Sequence, residues 1–287
     1  MKFIKEFLKG VIIGIANIIP GVSGGTMAVS MGIYDKIIYA VTNIRKQFKK
    51  SMQYLFPYII GALIGIAALS VVIEMLFEKR PLETSLGFIG LIVGGIPILI
   101  KKVKNKGFKI SYAISFVFFF VLIIGLQLLQ GNEGTTVVLN SSPKMIITLF
   151  FVGMIASATM VIPGVSGSMI LMLIGFYQPI IDMVSQCVSA LKDFDLVLIF
   201  NNGIILLPFI IGVLLGIIII AKLITFLFER FETVTFYGII GLVAASPFAV
   251  LMSSGVSSPK ASNIIIGIIA CIAGITVSYF LGGGEAE

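Results

Sequence analysis

Apolar runs of about twenty residues, each long enough to cross a hydrocarbon layer of about 30 Å, recur along the whole of this 287-residue chain. In lipid every backbone group needs an internal partner, so such runs cross as helices. Charged residues make up 11% of the sequence and hydrophobic ones 58%, whereas soluble domains carry roughly 25% charged residues. The chain therefore reads as an all-α polytopic membrane protein. Its formal charge of +7 lies in short runs between apolar segments. That is the pattern of loops facing anionic headgroups, not of a nucleic-acid interface. There is no histidine, which removes imidazole bases, phosphohistidine and His-ligated metals. Cys187 and Cys271 make neither a disulfide framework nor a metal spacing, so no metal and no cofactor is expected. The stretch Met1–Gly10 lacks an Ala-x-Ala-like cleavage site and reads as retained, not as a cleaved signal.

An internal repeat organises the rest. Ile19-Pro20-Gly21-Val22-Ser23-Gly24 returns 143 positions later as Ile162-Pro163-Gly164-Val165-Ser166-Gly167. At the same offset Gly10, Gly32 and Tyr34 match Gly153, Gly175 and Tyr177. Further on, at an offset of 151, Pro57, Gly61, Gly65, Phe77, Glu78, Gly87 and Gly90 match Pro208, Gly212, Gly216, Phe228, Glu229, Gly238 and Gly241. Duplication is the reading: repeat 1 over 1–142 and repeat 2 over 143–287, in one membrane domain.

Each repeat has a short apolar stretch (7–19; 145–162), the Pro-Gly break and a second helix (24–42; 167–190). Three longer segments follow: 55–77, 84–100 and 110–130, then 203–228, 234–252 and 262–281. The apolar stretch before Pro20 is short, which favours a re-entrant hairpin. A hairpin and three spans end on the opposite side, so repeat 2 is expected to be inverted. The basic residues agree. Those at 2–9, 45–50 and 101–109, with Lys222 and Arg230, fall on one side, against Lys79, Arg80, Lys144, Lys192 and Lys260 on the other. By the positive-inside rule the richer side is cytoplasmic, and both termini are expected there.

Helix breaks at membrane depth survive only when buried in protein or lining a wet cavity. In inverted-repeat transporters, half-helix N-termini at such breaks face anionic groups of the substrate. Ser23 and Ser166 can cap the following helices and present the amides of Gly24, Gly25 and Thr26, and of Gly167, Ser168 and Met169. Glycine admits close approach, and the helix dipole adds partial positive charge. Thr26 and Ser168 add hydroxyls. The copies differ where Asn17 and Thr26 correspond to Met160 and Met169. A packing hinge is the blander reading of the same residues.

Tyr34 and Tyr177 are candidates to touch the ligand or to anchor at the interface. Glu78 and Glu229, with Arg80 and Arg230 beside them, are candidates for gating, for cation coupling or for interfacial salt bridges. Glu74, about one turn inside its span, is a candidate proton-active acid or an acid that snorkels to the interface.

The doubled Pro-Gly-Val-Ser-Gly with its following Gly-x-Tyr (Gly32-Ile33-Tyr34; Gly175-Phe176-Tyr177) resembles the PopT family of bacterial polyprenyl-phosphate transporters over nearly the whole chain. The resemblance implies a flippase, not an enzyme, in the bacterial cytoplasmic membrane. It would return undecaprenyl phosphate, a cell-wall carrier lipid, from the outer to the inner leaflet. Carried over as substrate-binding are Pro20, Gly21, Ser23, Gly24, Gly25 and Thr26, with Pro163, Gly164, Ser166, Gly167 and Ser168. The expected partners are this lipid, the surrounding membrane lipids and a coupling H⁺ or Na⁺; nucleic acid is not among them.

Three rivals stay open. An anion channel would use the same helix-end physics. A polyprenyl-pyrophosphate phosphatase would need an acid near the Ser-rich turn, and the nearest, Glu6 and Asp35, are remote in sequence. A purely structural membrane protein would leave the doubled break unexplained.

Overall fold

Several helices start where a side chain or a proline deals with the first free amides. Pro81 and Pro143 open two of them, at a position where a missing N–H costs nothing. Ser142 Oγ accepts from the Met145 amide at 3.3 Å, and Asp195 Oδ1 from the Leu198 amide at 3.0 Å. The structure, a computed structural model, describes residues 2–18, 22–104, 106–129, 137–192, 194–256 and 260–282. Among the described residues the regular elements are α1 (Lys2–Ile18), α2 (Gly24–Ser30), α3 (Tyr34–Thr42), α4 (Phe48–Lys79), α5 (Pro81–Val103), α6 (Ile110–Leu129), α7 (Pro143–Val161), α8 (Gly167–Leu173), α9 (Tyr177–Lys192), α10 (Leu196–Ser253) and α11 (Ala261–Gly282).

Six of these, α4, α5, α6, α7, α10 and α11, are long and apolar enough to cross a membrane. The chain is a multi-pass membrane protein. Ile114, Val117, Phe118 and Val121 of α6 are each more than half exposed, a surface that only lipid solvates without penalty.

The single helix expected after each motif is two helices. Gly32 and Gly175 adopt φ of +68° and +76°, and each closes a Schellman cap. Gly32 N donates to Val29 O and Ile33 N to Ala28 O; Gly175 N donates to Met172 O and Phe176 N to Leu171 O. Such a cap stops α2 and α8 after seven residues, and α8 and α9 meet at a 112° bend.

The chain forms two compact units. The first comprises Met1–Gln127, Ile162–Val165 and Ala221–Glu287; the second Leu128–Val161 and Ser166–Ile220. In the first, α1 packs on α4 through glycines. Gly10 lies against Tyr58, Gly61 against Phe7, and Gly65 against Val11. The second unit repeats each contact between α7 and α10: Gly153 against Phe209, Gly212 against Phe150, Gly216 against Met154. Every pair is the earlier one moved by the two offsets of the sequence repeat. These glycines serve close helix approach. The second unit has its own core around Leu149, Ala156, Leu171, Phe176 and Leu206.

The turn after α4 is also duplicated. Arg80 (φ −141°, ψ 55°) separates α4 from α5, and Phe231 (φ −134°, ψ 40°) bends the 58-residue α10. Thr84 Oγ1 bonds the Leu76 and Arg80 carbonyls; Thr235 Oγ1 bonds those of Leu227 and Phe231. The segment of α10 after Phe231 is thus the counterpart of α5.

These counterparts exchange partners. α5 packs on α11, with Glu83 near Gly267, Gly87 near Ala270, Gly94 near Ile275 and Ile98 near Gly282, so the two helices run parallel. The end of α10 packs on α6, with Ser115 Oγ donating to Val234 O at 2.9 Å, Phe116 at Gly241, and Gln127 Nε2 donating to Ser253 Oγ at 2.8 Å. That pair is parallel too. Each repeat's last helix therefore lies against the other repeat's next-to-last.

Lys9, one of the basic residues counted at the N-terminus, is not solvated. The Gly10–Tyr58 approach draws α1 into the bundle, and Lys9 is fully buried with Nζ donating to Met31 O at 3.4 Å. A cation at the C-cap of α2 suits the negative end of the helix.

Candidate functional site

Ser23 has extended backbone (φ −111°, ψ 136°) and caps α2, its Oγ accepting from the Gly25 amide at 3.2 Å. The Gly24 amide donates to Asn17 Oδ1 at 3.2 Å, and Asn17 Nδ2 returns to Ile13 O at 3.1 Å. Asn17 thus folds back from α1 and satisfies the first amide of α2. Asn17 is exposed, whereas Ser23 and Thr26 are buried. Pro20 and Gly21 lie outside the described residues.

The second motif copy reaches this helix. Gly164, at φ +83°, donates its amide to Thr26 Oγ1 at 2.7 Å in a buried bond. Gly164 also sits against Leu242, and Pro163 is fully buried. A residue of each break therefore meets within the first unit. Behind them Ser30 Oγ donates to Ile92 O at 3.3 Å, and Gly95 admits the Ser30 backbone.

In the second unit Ser166 (φ −91°, ψ 126°) stands at the N-cap of α8, but its hydroxyl pairs with Ser168 Oγ at 2.8 Å and caps no amide. Gly167 faces Met160, the counterpart of Asn17. The Asn17/Met160 contrast visible in the sequence is thus a difference in how the two helix starts are completed.

The other candidates separate. Tyr34 is buried, its ring edge-on to Phe228 at 6.4 Å, while Tyr177 is half-buried on the core of the second unit. Glu78, Arg80, Glu229 and Arg230 are exposed. Glu74 lies on α4 with its side chain outside the described set. Glu229 lines a cavity of about 250 Å³ with Asp35, Tyr39, Lys102, Thr225 and Glu232. Two ion pairs stand at this end: Lys102–Asp35 at 3.3 Å and Lys106–Glu232 at 3.0 Å. Among the described residues no three acidic or cysteine side chains converge as a metal site would require.

Sequence reasoning passed over Glu83. It is 5% exposed, accepts from Arg80 Nη1 at 3.2 Å on Oε1, and leaves Oε2 without a partner. The available signal was the repeat itself. At the 151 offset Arg80 and Glu83 correspond to Phe231 and Val234, so a charged pair replaces an apolar one in a single copy.

Comparison with known proteins gives a consistent picture. The family model VCA0040-like, described as undecaprenyl phosphate translocase-like, matches residues 13–265. A protein of Staphylococcus aureus named polyprenyl-phosphate transporter is 33% identical over 290 residues, covering 98% of this chain and 97% of its own length. A protein of Vibrio cholerae with the same name is 28% identical over 257 residues, covering 85% of this chain and 76% of its own. No solved structure matches.

Proposed function

This chain belongs to the VCA0040-like family, described as undecaprenyl phosphate translocase-like, and from that membership we propose that it is a flippase for a polyprenyl phosphate. It returns undecaprenyl phosphate from the outer to the inner leaflet of the bacterial cytoplasmic membrane, with both termini in the cytoplasm. The phosphate is held where the two breaks approach each other, and the isoprenoid tail stays in lipid. The two relatives' names support the substrate class.

The observation that carries the site is the Gly164–Thr26 bond, which brings a residue of each motif copy together at a buried point. Gly24, Gly25 and Thr26 supply amides and a hydroxyl there, beside Pro163 and Gly164; by the sequence repeat alone, Pro20, Gly21 and Ser23, and Ser166, Gly167 and Ser168, are the further substrate-binding candidates. On entry a phosphate oxygen displaces the exposed Asn17 carboxamide from the Gly24 amide. A charge-assisted bond to the anion then replaces a neutral one, a gain of roughly twofold in strength.

Inversion of the repeats is supported by the helix exchange. α5 runs parallel to α11, and the end of α10 parallel to α6. If α5 and α6 cross the membrane in succession, α5 and its counterpart in α10 point in opposite directions.

Ion coupling follows from charge. A phosphate monoester carries about −1.5 to −2 charges, and each charge moved against 100 mV costs about 2.3 kcal/mol, so inward passage costs about 3.5–4.6 kcal/mol. A coupling H⁺ or Na⁺ offsets that cost.

The test is a binding and flipping assay with undecaprenyl phosphate in liposomes, comparing the intact protein with the Ser23→Ala/Ser166→Ala double variant. The expected result is weaker binding for phosphate-bearing lipids only. Flipping by the intact protein that ignores ion gradients and membrane potential would remove the coupling. Ionic current without lipid would replace the flippase with a channel.

A further inference from the structure

The exposed acids at the span ends do not have the burial expected of a proton-linked group, whereas Glu83 does. It stands in the first turn of α5, behind Arg80, whose side chain is 55% exposed. α11 covers it from the other side: a Cβ on Gly267 would lie 3.6 Å from the Glu83 Cα. Glu83 Oε1 takes the Arg80 bond, and Oε2 is buried without a partner.

A fold-only explanation would make the pair a helix-start device, since acids favour a first turn. The other copy of the turn argues against it. Phe231 and Val234 stand at the same places, and the turn has the same backbone angles and the same double bond from the threonine that follows. The geometry does not need the charges. A buried carboxylate paired with a half-exposed arginine, kept in one copy of a duplicated turn, is therefore better assigned to function.

We propose that Arg80 captures the phosphate headgroup of the lipid substrate and that Glu83 takes up a proton as Arg80 leaves it. The proposal rests on the polyprenyl-phosphate reading and deepens it. Arg80 commits one nitrogen to Glu83 and keeps more than half of its side chain in the open, and a guanidinium is the natural fork for phosphate oxygens. When the phosphate takes the fork, the N–H···Oε1 bond breaks and N–H···O–P bonds form. The buried carboxylate is then unpaired, at a cost well above that of a lost surface contact. A proton from water relieves it by forming an O–H bond at Oε2. Release of the phosphate reverses each change and returns the proton to water.

The proton neutralises the carboxylate that Arg80 has left, so the occupied site carries no unpaired buried charge beside the phosphate. Among the described residues, the charged groups flanking this turn on α4 and leading into α11 are Glu78, Lys79 and Lys260, all exposed; α11 itself carries none. The basic-residue count assigns this turn to the outer face, where the substrate would be collected.

The experiment uses the full chain in phosphatidylcholine vesicles at weak buffering, with undecaprenyl phosphate as the probe and a pH indicator recording proton uptake on binding. The intact protein should take up about one proton per lipid bound, as linkage through a single group requires. Glu83→Gln should keep binding, lose the uptake and flatten the pH dependence of affinity. Arg80→Gln should weaken binding by about tenfold or more. The paired change Arg80→Phe/Glu83→Val, which installs the other copy's residues, should fold with unchanged melting temperature and lose both capture and uptake. Uptake that persists in Glu83→Gln, or binding unchanged in Arg80→Gln, overturns the proposal. If the intact protein does not bind the lipid at all, the substrate reading fails first, and this proposal with it.

Discussion

The Gly164 amide donates to the Thr26 hydroxyl at 2.7 Å, across 138 positions of sequence, in a bond closed to solvent. It joins the break of one repeat to the short helix of the other, and it is the contact on which the geometry of the candidate site most directly depends.

Thr26→Val keeps the shape and removes the acceptor, leaving a buried N–H unpaired. The expected loss is about 1–3 kcal/mol, seen as a lower midpoint of thermal unfolding in detergent. Thr26→Ser should restore most of it, because the hydroxyl and not the methyl is what Gly164 needs. A Val variant as stable as the parent would mean that the amide finds another acceptor and that the join is looser than the geometry implies.

The Schellman caps make a second prediction. Gly32 and Gly175 hold positive φ in equivalent places, and a Cβ there strains the backbone by about 1–2 kcal/mol. Gly32→Ala and Gly175→Ala should each lower the unfolding midpoint. Asn, which enters this region more readily, should cost less than Ala at both positions.

Much of this architecture was legible in the sequence, because duplication leaves the same glycines, prolines and serines at fixed offsets. The α1–α4 and α7–α10 contacts were latent in the matches Gly10/Gly153, Gly61/Gly212 and Gly65/Gly216. Gly32 is visible in the sequence as well, but glycine in an apolar run reads equally as a helix contact, and only the +68° backbone angle separates the two meanings. The exchange of α6 and α11 between repeats was not legible, since a repeat specifies equivalent elements and not which copy each one packs against. Glu83 was missed for a related reason. The repeat draws attention to acids that match between copies, such as Glu78 and Glu229, whereas Glu83 has no acidic counterpart and its burial depends on α11, which is remote in sequence.

Helix contact and open surface should separate cleanly among the glycines. A Cβ on Gly90 would run into the Cys271 backbone, while one on Gly125 meets nothing within 4 Å. Gly90→Ala should force α5 from α11 and cost about 1–3 kcal/mol. Gly125→Ala should be neutral or stabilise by up to about 1 kcal/mol through helix propensity. Equal effects at the two sites, measured by unfolding in detergent, would mean that the α5–α11 approach is not tight.

The orientation of the repeats can be read with two exposed residues at equivalent positions, Glu78 and Glu229. In a variant with Cys187 and Cys271 replaced by serine, a single cysteine is placed at one site or the other, and intact cells are treated with a membrane-impermeant maleimide. Inversion requires opposite outcomes. Glu78→Cys should label in intact cells, and Glu229→Cys only after permeabilisation. The physical reason is parity: a hairpin that returns to its starting side, then three crossings, carries every feature of the second repeat to the other face. Labelling of both from the same side would make the repeats parallel.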